Sequence, residues 1–341
     1  MTTPLVSICS ITYNHSRFIR QCLDSLLMQK TNFLIEIIIN DDCSTDGTTE
    51  ILREYEQKYP DIVFPVYQEK NVYSQGVRGL FNRFVFPKVR GKYVAICEGD
   101  DYWIDPYKLQ KQVDFLEAHP DYSICYHKVQ IVNADASEIK GYYPFGVPDV
   151  AATFSVADME QSNIIQTNSV MYRWRFHSEK LLDYVWPGIM PNDWMLHLVH
   201  AMVGKVYYMP EVMGAYRHHE GGIWSMAHQD GNSFWLNYGY AHMLFFKNAQ
   251  EVTKMRFDVV MHHVLENVVK ACLLNWNPDV FGKVRKLYPD DVQRLLESYL
   301  LKDNSKRACF AREYVEAMVK YPLLYRLTRI LWKLFRFFMR K

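Results

Sequence analysis

Short apolar, β-prone runs recur along the first hundred residues of this chain, and most of them stop abruptly in a cluster of carboxylates or amides. Residues 5–11 run into Thr12-Tyr13-Asn14, residues 35–39 into Asn40-Asp41-Asp42, and residues 93–97 into Glu98-Gly99-Asp100-Asp101. Between the first two runs, Phe18, Ile19, Cys22, Leu23, Leu26 and Leu27 recur at helical spacing. Residues 48–59 read as a second helix, and residues 63–67 as a further strand. Strands alternating with helices predict a mostly parallel sheet with helices on both faces. Ligands of such sheets bind beyond the carboxyl ends of the strands. The three polar clusters are therefore expected to converge on one crevice.

The pattern continues less regularly. Asp105-Pro106 reads as a helix start, an N-cap followed by proline in the first turn, with the helix reaching about His119. Residues 123–132 and 168–174 read as strands. Asn192-Asp193 opens a short helix through Met202, and residues 205–217 alternate like a strand that Pro210 interrupts. From about Ser233 to Tyr321 the pattern is helical. The expected organisation is an α/β domain over 1–228, a helical extension over 229–321 and a tail helix over 322–341.

Composition bounds the possibilities. Apolar residues make up 49% of 341, enough for a sizeable core. Aromatic residues reach 15%, which suits either stacking on a sugar or base, or a tyrosine-rich core. The net charge of +1 hides an asymmetry: Lys320, Arg326, Arg329, Lys333, Arg336, Arg340 and Lys341 follow Glu316 with no acid among them, which leaves the preceding residues about −6. An acidic body with a basic tail argues against bulk nucleic-acid binding and for an anionic surface as partner. The seven cysteines are scattered without a C-x-x-C pair, so neither a disulfide framework nor a structural zinc is expected, and a reducing compartment is. Neither a leader segment nor a membrane span is expected.

Adjacent carboxylates at a strand end are costly unless a cation neutralises them. Glu98-Gly99-Asp100-Asp101 is thus either a solvated acidic turn or a place where Mg²⁺ or Mn²⁺ is shared between carboxylates and a substrate phosphate, with Gly99 permitting close backbone approach. Asp41 and Asp42 end a buried strand, where one could accept from a base imide or a ribose hydroxyl. Asp46-Gly47-Thr48 reads as the cap of the next helix.

In order, Pro4-Leu5-Val6-Ser7-Ile8 through Thr12-Tyr13-Asn14, then Asn40 to Thr48, then Glu98-Gly99-Asp100-Asp101-Tyr102-Trp103, resemble the signature of family 2 glycosyltransferases, closely over about residues 4–130 and loosely over 160–225. The resemblance implies a GT-A fold, related to the Rossmann fold, an inverting mechanism and a divalent cofactor, Mn²⁺ or Mg²⁺. By position it implies Thr12, Tyr13 and Asn14 under the nucleobase, Asp42 on the base, Asp100 on ribose or diphosphate, and Asp101 on the metal. Glu98 stands where the family often has Asp. Arg78, in the segment 71–82, would neutralise phosphate charge, or is a surface arginine. Asp193 matches the family's catalytic base, or it caps its helix. His219 would complete the metal site or touch phosphate, Gly221-Gly222 would supply a hinge, and Trp224 would stack on sugar or base. Gln166-Thr167-Asn168-Ser169 would line the acceptor pocket.

The expected reaction moves a sugar from a nucleotide-sugar donor, UDP-linked, to a hydroxyl of a glycan or lipid-linked oligosaccharide in surface-polysaccharide assembly. In the tail, Arg326, Arg329, Lys333, Arg336 and Arg340 recur at spacings of three and four beside Leu327, Ile330, Leu331, Leu334 and Phe338. That is a basic amphipathic helix suited to an anionic membrane surface or to docking on the acidic body. The expected location is cytoplasmic, at the inner face of the cell membrane. Two rivals are a sugar-phosphate nucleotidyltransferase, disfavoured because Thr12-Tyr13-Asn14-His15 replaces a glycine-rich basic loop, and a non-catalytic nucleotide-sugar or glycan-binding protein, which would not need Asp193.

Overall fold

Buried strands with no polar alternation need cover on both faces, and the structure supplies it. The computed structural model describes residues 3–147, 149–177, 188–222, 229–275 and 277–302. The expected tail helix and Trp224 lie outside the described residues. The chain divides into two compact units, one of residues 1–225 with 248–257, the other of residues 226–247 with 258–341.

The first unit begins with β1 (Val6–Thr12), α1 (Ile19–Leu27), β2 (Ile35–Asp41), α2 (Thr48–Lys58), β3 (Val63–Tyr67) and β4 (Tyr93–Ile96). These strands lie side by side in the order β3-β2-β1-β4, all parallel. The predicted apolar stripe of α1 is its buried face: Ile19, Cys22, Leu23 and Leu26 pack with Ile8, Ile37, Ile39 and Leu52 into the main core.

β5 (Tyr102–Trp103), α3 (Lys108–Ala118), β6 (Tyr122–Val132), β7 (Ile139–Tyr143), β8 (Ala152–Phe154), β9 (Met171–Arg173), α4 (Asn192–Ala201) and β10 (Lys205–Arg217) follow. β9 is antiparallel to both β4 and β6, and β10 runs parallel to β6. The sheet is therefore mostly parallel, with antiparallel insertions. β10 is not broken by Pro210. It continues through it with a register shift between Met209 and Val212, a bulge that accommodates the missing N–H. α3 starts later than the sequence suggests. Asp105 forms a preceding turn, its carboxylate accepting from the Tyr107 N–H at 2.7 Å.

The second unit is mainly helical over its described residues. It contains most of α5 (Gly231–Thr253), with α6 (Asp258–Asn275), α7 (Pro278–Leu287) and α8 (Pro289–Lys302). Asn277 caps α7 by accepting from the Val280 N–H at 3.1 Å, with Pro278 in the first turn. No helix of the described residues is long and apolar enough to cross a membrane.

Candidate active site

The loops after β1 and β2 are stitched together. Asn14 takes a left-handed backbone, φ 54°, which asparagine tolerates better than most residues. Its N–H donates to Ser44 Oγ at 2.9 Å, and its Oδ1 accepts from the Thr45 N–H at 2.8 Å. The His15 N–H donates to Thr48 Oγ1, and the Ser16 N–H to Asp46 Oδ2, both at 2.9 Å. Asp46 also accepts from the Thr48 N–H, the first of α2, while the N-cap position itself is Gly47 in a left-handed conformation. Asn14 is thereby a brace between two loops, while Tyr13 is left 42% exposed. Both oxygens of the buried Asp42 are occupied, accepting from the Val72 N–H at 2.9 Å and the Tyr73 N–H at 3.0 Å. Arg78 lies over the Tyr73 ring at 4.0 Å and donates to the Tyr73 carbonyl. Asp42 and Arg78 are thus both engaged with the loop at 72–78.

The acidic cluster sits where β1 and β4 end. A Cβ at Gly99 would fall 2.7 Å from Thr12 Oγ1 and 2.8 Å from Thr12 Cβ. The close approach that glycine permits is to Thr12, which is buried beneath the loop with its hydroxyl unpartnered. Arg217, at the end of β10, fastens the loop from the other side. Its N–H donates to Asp101 Oδ1 at 2.8 Å, and its guanidinium reaches the Asp100 carbonyl at 2.8 Å and Gln21 Oε1 at 2.6 Å. Asp101 is 1% exposed, and its other oxygen has no hydrogen-bond partner. Asp100 instead meets His219, whose Nε2 lies 2.9 Å from its Oδ2, while His15 Nε2 lies 3.8 Å from the same atom.

The metal-ligating atoms of His15, Asp100 and His219 all lie within 4.8 Å of one another. Two imidazoles and a carboxylate form a donor set that fits a divalent cation. The resemblance gave the metal to Asp101 and ribose or diphosphate to Asp100. In the structure it is Asp100 that faces His219, because Asp101 turns inward to the β10 backbone.

Electrostatics bring a fourth carboxylate, Asp193, to this loop. Burial, then Asp100 and then Asp193, push Glu98 up to about 8. Burial and neighbouring Asp100 also raise Asp101 well above the usual carboxylate range. Burial pushes Asp100 up too, but its hydrogen bond with His219 and the nearby His15 outweigh that and hold it below its ordinary value. Burial lowers His15, which favours the neutral ring. Asp193 opens α4. Its Oδ2 accepts from Thr167 Oγ1 at 3.1 Å and Asn163 Nδ2 at 3.2 Å. Burial still wins over these bonds and raises its pKa, which suits a group that must take a proton. Asn192, next to it, accepts from Asn82 Nδ2 at 3.4 Å, so the segment after β3 reaches the start of α4.

Of the residues singled out in the sequence, the fold brings Glu98, Asp100, Asp101, Asp193 and His219 into one group, Glu98 feeling both Asp100 and Asp193, and His219 bonding to Asp100. Thr167 supports Asp193. Asn168 is buried structure, its amide donating to the Ala215 carbonyl. Arg217 and the His15 ring were missed. Their only sequence signals were a lone arginine ending a strand and a histidine beside Asn14, neither distinctive without the contacts.

Residues 7–162 match the family model described as Glycosyl transferase family 2. An uncharacterized protein of Mycobacterium tuberculosis is 40% identical over 235 residues, covering 69% of this chain and 65% of that protein. The chain thus spans just under two thirds of that relative's length. A putative teichuronic acid biosynthesis glycosyltransferase of Bacillus subtilis, TuaG, is 39% identical over 113 residues, 33% of this chain and 42% of its own. Among solved structures, S. aureus TarS 1–349 in complex with UDP-GlcNAc has a similar fold, with a TM-score of 0.55 at 19% identity over 92% of this chain and 88% of that one.

Proposed function

We propose that this chain, whose residues 7–162 match the model of glycosyl transferase family 2, transfers a sugar, with inversion, from a UDP-linked donor to a hydroxyl of a glycan or lipid-linked oligosaccharide. The observation that carries this reading is Asp193: a carboxylate raised by burial, held by two neutral donors, and close enough to the acidic loop to perturb Glu98. UDP as the nucleotide is supported by the likeness to TarS, and a polysaccharide acceptor by the likeness to TuaG.

Asp193 takes the proton from the acceptor hydroxyl as that oxygen bonds to the anomeric carbon, and the bond from that carbon to the diphosphate oxygen breaks. Charge collects on the departing diphosphate. A divalent ion, Mn²⁺ or Mg²⁺, held by Asp100 and His219 would supply positive charge there. Arg217 keeps the loop that carries Asp100 fixed, which limits reorganisation during the step. Tyr13 offers an exposed ring to the nucleobase. Asp42, through Val72 and Tyr73, sets the backbone of the donor-side segment on which Arg78 sits. The basic tail would hold the enzyme at an anionic membrane where a lipid-borne acceptor is presented.

The test is Asp193→Asn, assayed by UDP release from UDP-sugars with a glycan acceptor. Turnover is expected to fall roughly 100-fold to 10,000-fold, with UDP affinity unchanged within about threefold. Undiminished turnover would remove Asp193 as base. If the wild-type protein binds UDP-sugars but never turns them over, the protein is a binding module.

A further inference from the structure

We propose that His15 is a third protein ligand beside Asp100 and His219, giving a cation site whose two imidazoles and one carboxylate favour a first-row transition ion over Mg²⁺. This rests on the nucleotide-sugar reading above, and concerns which residues of this chain hold the ion and which ion they select.

The backbone of His15 is fixed on both sides. Its N–H donates to Thr48 Oγ1, and its carbonyl accepts from the Phe18 and Ile19 N–H groups that open α1, each at 2.8 Å. The ring packs edge-on against His219, centroids 5.9 Å apart at 89°, and Phe18 touches both imidazoles. The segment is therefore built to hold this ring beside His219. Yet the ring makes no hydrogen bond there. Nε2 is 3.8 Å from Asp100 Oδ2, beyond hydrogen-bonding distance, and Nδ1 is buried without a partner. A buried ring nitrogen left without a partner is expensive, and the half-buried Nε2 has no hydrogen bond either. Coordination would give Nε2, the nitrogen that faces Asp100, a partner.

The spacing suits that. Ligand atoms on one first-row ion sit about 2.0–2.2 Å from it, so they lie within roughly 4.4 Å of each other. The three atoms here lie within 4.8 Å, a side-chain adjustment away. Imidazole nitrogen suits transition ions, whereas Mg²⁺ prefers oxygen ligands and sheds water reluctantly. With Asp101 turned toward Arg217, the set offers one carboxylate and two nitrogens.

The experiment is a Mn²⁺ titration followed by electron paramagnetic resonance with UDP present, on the wild type, His15→Ala, His15→Gln and His219→Ala, with Mg²⁺ as competitor. Removing His15 is expected to weaken Mn²⁺ at least tenfold while changing the Mg²⁺ constant less than threefold. One of two histidine ¹⁴N couplings to bound Mn²⁺ should disappear. Equal weakening of both ions, or wild-type Mn²⁺ affinity with both couplings retained, would overturn the assignment. Loss of binding in His219→Ala alone overturns only the role of His15. Wild-type protein that binds neither UDP nor Mn²⁺ in its presence overturns the nucleotide-sugar reading itself.

Discussion

Lys108 is an ionisable group kept from water without an acidic partner. It is fully buried, its Nζ lies 3.8 Å from the centre of the Trp103 ring, and it makes no hydrogen bond. Burial lowers its pKa to about 7. The folded chain therefore holds this proton less tightly than the unfolded chain, in which lysine titrates near 10.4. Below about pH 7 both states are protonated and the full penalty of burying the charge applies. Between about 7 and 10.4 the unfolded state binds more protons, so stability rises with pH. Lys108→Met is expected to raise Tm by several degrees at pH 6 and by much less at pH 10, measured by scanning calorimetry. An equal gain at both pH values would show that packing, not charge, is responsible. Asp193 shows the related trade-off of function against comfort: burial makes its carboxylate a better base by making its charged form less welcome.

At the scale of elements, the loop between β4 and β5 is held by packing beneath and hydrogen bonds beside it. Beneath lies Thr12 at the end of β1; beside it is Arg217 at the end of β10. Gly99→Ala would drive a methyl group into Thr12, and is expected to cost about 1–3 kcal/mol, read as a fall in the denaturant midpoint. Thr12→Ala removes an unpartnered hydroxyl but also a buried methyl group, so it should cost about 1 kcal/mol alone and should recover part of the loss in the double variant. Strictly additive effects would mean that the clash is relieved elsewhere. The sequence marked Gly99 as a place of close approach, but the partner was invisible because Thr12 is 87 residues away in the chain. Likewise the apolar spacing announces α3, but not that Lys108 lies on its buried side; charge alone reads as exposure. The short strands β5, β7 and β8 gave no signal, since two to five residues, partly exposed, cannot show a buried run or a clear alternation.

At the scale of the molecule, the charge asymmetry is the feature with the largest reach. An acidic body with seven positive residues after Glu316 would meet an anionic bilayer through its tail. Deleting residues 323–341 is expected to release the protein from anionic liposomes in a sedimentation assay and to leave UDP-sugar hydrolysis within about twofold. Binding that survives the deletion would assign the tail to the protein's own surface. The two compact units divide the chain at a different place from the charge, near residue 225 rather than at Glu316. The acidic loop, Asp193, His15 and His219 all belong to the first unit, which also takes in residues 248–257, a return that no composition boundary near Ser225 announces.

The sequence by itself determined the alternating order of strands and helices. It also determined where their polar ends fall, because buried parallel strands must be apolar runs and must stop where backbone and ligands meet water. The acidic loop was legible for that reason, and Asp193 only through resemblance. Tertiary structure alone decided which carboxylate of that loop faces outward. Asp101 turns in to the Arg217 N–H and Asp100 turns out to His219 and His15. Such pairing depends on groups far apart in the chain, Asp101 with Arg217 and Asp100 with both His219 and His15, meeting at one point, and no local pattern encodes that meeting.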